Sequence, residues 1–297
     1  MRRSRFLVVP TVLVLTLSAC ADDDEPAPSP SVSGTPTGTP TGPPTTSPGP
    51  TAGAAPSTTQ PPVSTSGVSV YLIRGEDVQP VSRPATGTGV AAIAVRALLA
   101  GPTAAERAGG LTSTIPGGTS LRGLTIRDGL ATVDLSGHFD DGGGSFSMTA
   151  RVAQLVFTLT RFPTVDRVIL MLDGRRVTAL GGEGVDLSDP VGRDDYERLS
   201  PAVLVETPRW GESARTPLRV TGTANTFEAV FFLELEDARG KKLLEQRVMA
   251  TSGSGTRGTF DVTLLGSPSG QVVLNAFVYS AKDGARQDIV SIPLTGR

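Results

Sequence analysis

Apolar positions recur along residues 68–180 with two different periods. Residues 68–73 form a β-branched and aromatic run that predicts a strand, and a polar loop rich in Gly, Pro and Thr follows it. In residues 90–98, apolar side chains recur at i, i+3, i+4, i+7 and i+8, which predicts a helix that ends before Gly101 and Pro102. Thr103 and Glu106 have the spacing of a capping box and predict a short second helix.

The same segment continues with a predicted hairpin, helix and strand. Residues 121–127 and 130–135 flank Asp128-Gly129, a pair that accepts the positive φ of a tight turn. Pro163 ends a further helix, and residues 165–172 predict a strand. One face of that helix is apolar: Met148, Val152, Leu155, Val156 and Leu159. The order β-α-β-β-α-β predicts an α+β module with two helices on a small mixed sheet.

Beyond residue 200 the apolar period changes to two. Seven strands are predicted, at residues 202–206, 218–222, 229–236, 243–250, 259–264, 272–280 and 288–294. This spacing indicates an all-β immunoglobulin-like sandwich, without a cysteine pair to link its sheets. In the third strand we expect Phe231, Leu233 and Leu235 to face the core. Glu234 and Glu236 are expected to point outward.

The first 20 residues have the layout of an export signal. Three arginines precede an apolar run over residues 6–17, which is too short for a membrane span of about 20 residues. Small residues then lead to Cys20, the only cysteine. A cysteine in this position is typical of a bacterial lipoprotein signal, so we predict cleavage between Ala19 and Cys20 and lipid on Cys20. The alternative is an ordinary secreted protein with a stray thiol.

Composition divides the rest of the chain. Residues 21–66 consist mainly of Pro, Thr, Ser, Gly and Ala and contain no aromatic residue, which predicts a disordered linker that keeps the folded modules away from a membrane. The expected organisation is a signal peptide at 1–19, a lipid-anchored linker at 20–66, the α+β module at 67–185, an interdomain linker at 186–199 and the sandwich at 200–297. Whether sugars are attached to the first linker is left open.

Several landmarks in the two modules occur together in known families. The segments LLAGPT, GLTSTIP, LRGLTIRDGLATVDLS, ARVAQLVFTLTRF and VILMLDG resemble, in this order, the GerMN domain, which is named after a sporulation and germination lipoprotein. The segments ETPRWGESARTPLRVTGTANTFEA, GTFDVTL, VVLNAFVYSAKDG and IVSIPL resemble the immunoglobulin-like domain of bacterial spore germination. Trp210 departs from that pattern, and we expect it to pack on the sandwich edge. The resemblance implies a non-catalytic extracytoplasmic protein.

The chain offers little that predicts catalysis or metal binding. The only histidine, His138, lies near Ser136 and Asp134, but no nucleophile turn surrounds that serine, so an exposed loop position is expected. Asp140 and Asp141 do not have calcium-loop spacing and are expected to favour the N-terminus of the next helix. Residues 142–144, three glycines, lack the lysine of a phosphate loop and predict a flexible loop.

We therefore expect a lipid-anchored binding or assembly protein of the cell envelope, on the outer face of the cytoplasmic membrane, with no cofactor or metal. Its expected partners are the membrane, through the lipid, and an unidentified envelope protein or cell-wall component. The net charge of −2 and the absence of a basic cluster interleaved with aromatics argue against nucleic acid. The alternatives are a ring- or scaffold-forming protein that self-associates through the first module, and an envelope hydrolase.

Overall fold

A computed structural model describes residues 67–181, 184–266 and 269–296. The predicted signal peptide and first linker, residues 1–66, lie outside this described part. The first module confirms the predicted helices and strands and adds short ones: β1 Val68–Arg74, β2 Asp77–Arg83, α1 Val90–Leu99, α2 Ala104–Ala108, β3 Leu111–Thr112, β4 Leu121–Arg127, β5 Gly129–Leu135, α3 Ser145–Leu159, β6 Val165–Leu172, β7 Arg175–Arg176, β8 Ala179–Leu180 and β9 Val185–Asp186.

Strand β2 occupies part of the segment that the sequence predicted as a polar loop. It pairs with β1 over its whole length, from Val68 opposite Arg83 to Arg74 opposite Asp77. Its buried apolar residues are Val78 and Val81, which are too few for a clear period of two. Pairing with β1, rather than its own pattern, makes this segment a strand.

The strands of the first module form separate sheets. The order β4-β5-β6-β7 gives a mixed sheet, in which β5 and β6 are parallel and α3 makes the crossover. Strand β1 lies in a second sheet of order β2-β1-β3, although the sequence predicted one sheet. Strand β3 pairs with only the end of β1, and α3 covers part of the edge that remains. The Thr158 hydroxyl accepts a hydrogen bond from the Tyr71 amide at 3.1 Å, and the Gln154 side chain donates one to the Tyr71 carbonyl at 3.0 Å.

Helix α3 is buried on more than the one predicted face. Every residue from 150 to 159 is buried. The helix lies between β1, α1, β6 and the segment 186–199, which was predicted as a linker. That segment packs Leu187, Tyr196 and Leu199 into the core of the first module. It therefore connects the two modules as folded structure rather than as an exposed spacer.

The second module is the predicted sandwich. Two sheets of order β10-β12-β15 and β11-β17-β16-β13-β14 enclose its core. All seven predicted strands are present, and one short strand is added: β10 Val203–Thr207, β11 Ser213–Ala214, β12 Leu218–Ala224, β13 Val230–Asp237, β14 Lys242–Met249, β15 Gly258–Leu264, β16 Gly270–Tyr279 and β17 Arg286–Gly296.

Strand β13 confirms the predicted inward positions and corrects an outward one. Phe231, Leu233 and Leu235 are fully buried in the sandwich core. Glu234 lies on the opposite face, as expected, but its side chain is also fully buried. The guanidinium of Arg286 covers it and forms hydrogen bonds with both of its carboxylate oxygens. A charged side chain on an outer sheet face can thus be shielded by a paired one.

Candidate functional site

The clearest concentration of buried charge lies at the joint between the two modules. Tyr71 in β1 donates a hydrogen bond of 2.8 Å to Glu206 in β10, and Arg193 in the connecting segment contacts the same carboxylate oxygen at 2.5 Å. Each of these three side chains comes from a different part of the fold. The joint is therefore formed only when both modules and the connecting segment are in place.

Arg193 contributes both hydrogen bonds and cation–π contacts to the joint. Its Nε donates to the Thr160 hydroxyl at 2.8 Å, and its Nη2 donates to the Phe157 carbonyl at 3.3 Å. Its guanidinium carbon lies 5.4 Å from the centroid of the Tyr71 ring and 4.9 Å from that of the Phe157 ring. These distances fit cation–π contacts, which add to the hydrogen bonds that hold the guanidinium in place.

The electrostatics of the joint keep it in one protonation state at neutral pH. Burial raises the pKa of Tyr71, so its phenol stays protonated and can donate. Burial would also raise the pKa of Glu206, but the charge and hydrogen bonds of Arg193 lower it below its usual value. The carboxylate therefore remains ionised and accepts both hydrogen bonds.

Trp210, the only tryptophan, belongs to this joint and not to the sandwich edge where the sequence placed it. It follows β10 in the second module, but it packs against the first. The backbone of Trp210 forms an isolated β-bridge with that of Val81 in β2. The guanidinium carbon of Arg74 lies 5.2 Å from the centroid of the indole ring. A Cβ atom at Gly109 would lie 2.8 Å from indole Cη2, so the ring fits only against glycine.

Further hydrogen bonds cross between the modules. Arg209 donates to the carbonyl of Gly67 at 3.1 Å and to the hydroxyl of Ser69 at 2.9 Å. Arg74 donates to the carbonyl of Ser291 at 2.8 Å. Both modules lie within one compact unit, so the joint behaves as internal structure. The sequence did not predict this joint. The one local sign of it is that Tyr196 and Leu199 are three positions apart in the predicted linker, a spacing that places both on one face of a helical turn.

The residues considered for catalysis are not brought together. His138 is exposed in a short 3-10 turn. The Ser136 hydroxyl accepts a hydrogen bond from the Ser120 amide at 3.0 Å, and Asp134 accepts one from the Gly174 amide at 3.0 Å. Within the described ranges, none of the three side chains of Ser136, His138 and Asp134 is hydrogen-bonded to another. This arrangement lacks the nucleophile–base–carboxylate contacts of a triad.

The loop before α3 is held by a buried arginine. Arg151 is 2 % exposed and donates to the carbonyl of Phe139 at 2.6 Å and to that of Gly142 at 2.9 Å. Arg151 therefore clamps the first of the three glycines, Gly142, to α3. The flexibility that the sequence predicts for this loop stays a prediction. Asp140 accepts a hydrogen bond from the Gly181 amide at 2.9 Å, and no side chain caps α3. Across the described residues, no group of three acidic, His or Cys side chains could hold a metal ion.

An open cleft of about 810 Å³ lies beside the first turn of α3. Its polar side chains include Arg167, Asp186 and Asp195. Arg167 donates to the carbonyl of Pro190 at 2.9 Å and lies 3.4 Å from Asp195, and Asp186 accepts from the Ser188 amide. Each of these three side chains thus has a partner within the protein.

Cys20 and Ala19, the predicted sites of lipidation and cleavage, lie outside the described residues. Both stay predictions of the sequence. No helix in the described part of the chain is long and apolar enough to cross a bilayer.

Comparison with known families and structures gives matches to both modules. A profile of the Germane family, described as sporulation and spore germination, matches residues 69–178. A profile described as the immunoglobulin-like domain of bacterial spore germination matches residues 202–285. Both families are non-catalytic in kind. The comparison with curated proteins gave no match.

Three solved structures are similar to parts of the chain. The first GerMN domain of the sporulation protein GerM from Bacillus subtilis is 23 % identical, with a TM-score of 0.37, over 44 % of this chain and 99 % of that one. The tandem GerMN domains of the same protein are 18 % identical, with a TM-score of 0.39, over 69 % of this chain and 62 % of that one. A crystal structure of a putative lipoprotein from Clostridium perfringens is 22 % identical, with a TM-score of 0.33, over 43 % of this chain and 89 % of that one.

Both profile matches fall within the modules described above and follow the same order along the chain. The chain therefore carries a sporulation-related Germane domain followed by the immunoglobulin-like domain of bacterial spore germination.

Proposed function

We propose that this chain is a lipid-anchored, extracytoplasmic adaptor of the cell envelope that binds or assembles other envelope components without catalysing a reaction. The observation that carries the proposal is the buried joint of Tyr71, Arg193 and Glu206. It ties the two domains into one compact unit, and two different surfaces on one unit are suited to holding partners together. The family descriptions support a role in sporulation or germination.

The anchor is supported by the sequence around Cys20. A single cysteine directly after small residues and a short apolar run is the arrangement expected of a lipidated N-terminus. The residues that follow it, 21–66, are rich in Pro, Thr, Ser and Gly and would serve as the tether.

The anchor is tested by fractionating cells that express Cys20→Ala. We expect the native chain in the membrane fraction and the variant unprocessed or released, with acyl chains on the N-terminal cysteine seen by mass spectrometry only in the native protein. Ser18→Ala is the matched control, because it keeps a small residue before the cut, and it should fractionate like the native chain. An unmodified Cys20 thiol in the processed native protein would overturn the anchor.

The adaptor role is tested by crosslinking in cells. Crosslinking of the natively anchored chain should capture the same envelope component each time, and that capture should disappear for the released Cys20→Ala protein. Capture that is equal for both forms would show that the anchor has no part in partner choice.

Self-association through the first domain is the second candidate. Strand β4 lies at the edge of its sheet, and an edge strand can pair with a second copy. Light scattering of the purified protein over a range of concentrations tests this. A mass that stays monomeric at high concentration would rule against a ring or scaffold.

A further inference from the structure

A second groove, of about 460 Å³, opens at one end of the sandwich, well within the range of small-molecule sites. It lies between the loop that joins β12 to β13 and the turn that joins β16 to β17. Aromatic side chains of Phe227, Phe232 and Tyr279 line it. The Tyr279 ring is set edge-on to Phe232, with centroids 4.7 Å apart. The aromatic wall is therefore fixed by packing before any ligand arrives.

Phe227 is held in an exposed position by a rigid loop. Its side chain is 79 % exposed. The loop itself is braced, because the Glu228 amide donates to the Ser254 hydroxyl at 3.0 Å and the Gly255 amide donates to Asn225 at 2.9 Å. Asn225 in turn donates to Glu197 in the connecting segment at 2.9 Å. One exposed apolar side chain is ordinary, but Phe227 shares the groove with Phe232 and Tyr279, and an exposed patch of several such side chains indicates a contact surface.

The same loop contains a buried hydroxyl without a hydrogen-bond partner. Thr226 lines the groove and is 5 % exposed, and within the described part of the chain its Oγ1 has no partner. Such groups are rare in folded proteins, and each one calls for an explanation. Because this oxygen is itself out of contact with solvent, a ligand in the open groove does not reach it, and the unmet hydrogen bond is a local feature of the loop.

The backbone beside the groove is in an unusual conformation. Glu228 and Asp288 both line it, and both have left-handed φ angles, of 53° and 52°. Residues other than glycine adopt this region at a cost that is most often met at functional sites. The conformation places two carboxylates at the groove.

The charges at the groove argue against anionic ligands. Its lining has a single cation, Arg247, against the carboxylates of Glu228 and Asp288. This balance disfavours phosphates and other anions. The aromatic faces of the groove suit the C–H face of a neutral ring. The carboxylates and the amide of Gln287 can form hydrogen bonds with the hydroxyls of such a ring.

We propose that this groove binds a neutral saccharide, with one sugar ring against Phe227 and Tyr279 and its hydroxyls bonded to the carboxylates of Glu228 and Asp288. The proposal names a ligand class for the binding role proposed above and in that sense rests on it. It does not depend on the lipid anchor, since binding is measured with purified protein.

The test is ligand-observed NMR and calorimetry on the full processed chain, in a detergent without sugar groups, with chitotriose and maltotriose as probes. We expect at least one of the two trisaccharides to bind, and Phe227→Ala to weaken its binding about tenfold. Asp288→Asn should also weaken binding, because it removes a carboxylate at the groove while asparagine tolerates the left-handed φ of 52°. Leu265→Ala is the matched control, since Leu265 is 78 % exposed and does not line the groove.

Three results would overturn the proposal. One is no binding of either trisaccharide, and another is binding that Phe227→Ala leaves unchanged. The third is dimerisation that Phe227→Ala abolishes, which would make a second copy the occupant. A lipid-modified chain that fails to bind sugar would remove this inference alone, whereas a sugar-binding chain without lipid would remove only the anchor.

Discussion

The phenol of Tyr71 donates a hydrogen bond of 2.8 Å to the carboxylate of Glu206, across 135 positions of sequence. It joins the first strand of one domain to the first strand of the other. Arg193, from the segment between the domains, completes the contact at 2.5 Å. The stability of each domain should therefore depend on the presence of the other.

Glu206→Gln should lower the free energy of unfolding by about 3 kcal/mol, because it leaves the Arg193 guanidinium buried without its counter-charge. Urea denaturation of the purified protein measures this change. We expect a single transition in the native chain and separate transitions for the two domains in the variant.

Asp261→Asn serves as the control for this variant. It breaks the ion pair between Arg219 and Asp261, which is exposed on the second domain, and should change stability by less than about 1 kcal/mol. If Glu206→Gln and Asp261→Asn lower the free energy of unfolding equally, the buried ion pair at the joint contributes no more to stability than the exposed one. The double variant Arg193→Met/Glu206→Leu should recover much of the lost stability, because it removes both charges.

Acid should weaken the protein through its paired carboxylates. Burial would raise the pKa of Glu206, Glu197 and Glu106, but their arginine partners lower each below the usual 4.5. A lowered pKa in the folded state contributes stability above the unfolded pKa, and this contribution disappears as the pH falls through the folded value. Urea denaturation from pH 7 to pH 3 should therefore show a loss that begins near pH 4.5.

Glu206→Gln again separates the contributions. Its stability should fall less steeply in acid than that of the native chain, because one of the titrating groups is gone. Parallel curves for the two proteins would contradict the ionised state of Glu206 inferred from its contacts with Arg193 and Tyr71.

Gly109→Ala should displace the indole of Trp210. Gly109 has a φ of −82°, which alanine adopts freely, so the added methyl acts only through its clash with the ring. Since Trp210 is the only tryptophan, its fluorescence reports on the joint directly, and we expect a red-shifted emission and a loss of about 2 kcal/mol. Gly117→Ala, where no atom lies within 4 Å of the new Cβ, should leave the spectrum unchanged.

Arg151→Met should loosen the glycine loop before α3. It removes the donors to the carbonyls of Phe139, Asp141 and Gly142, and it leaves the buried Phe139 carbonyl unsatisfied at a cost of about 2 kcal/mol. Hydrogen exchange should speed up in the loop before α3. Arg127→Met, at an exposed position, should have neither effect, and similar exchange in both variants would contradict the clamp.

The sequence predicted those parts of the fold that depend on local pattern. Several strands of the sandwich follow the period of two, β12 most clearly, and the inward side chains of β13 follow from the same period. Strand β2 was missed because only Val78 and Val81 mark it, and its pairing with β1 makes it a strand. Glu234 was predicted as exposed because alternation gives the face of a residue but not what covers that face.

The joint could not be predicted because it depends on contacts between distant residues. Nothing local marks Tyr71 or Glu206 as partners. Trp210 was placed on its own domain for the same reason, although the shape that receives it is provided by Gly109 in the other domain. The groove at Phe227 was missed since its loop contains no recognisable motif.

Arg209 of the second domain donates a hydrogen bond to the carbonyl of Gly67, where the described part of the chain begins. Tension applied to the chain at Gly67 would therefore reach both domains at once. If residues 1–66 tether the protein to a surface, a mechanical load is shared across the joint instead of peeling β1 away by itself.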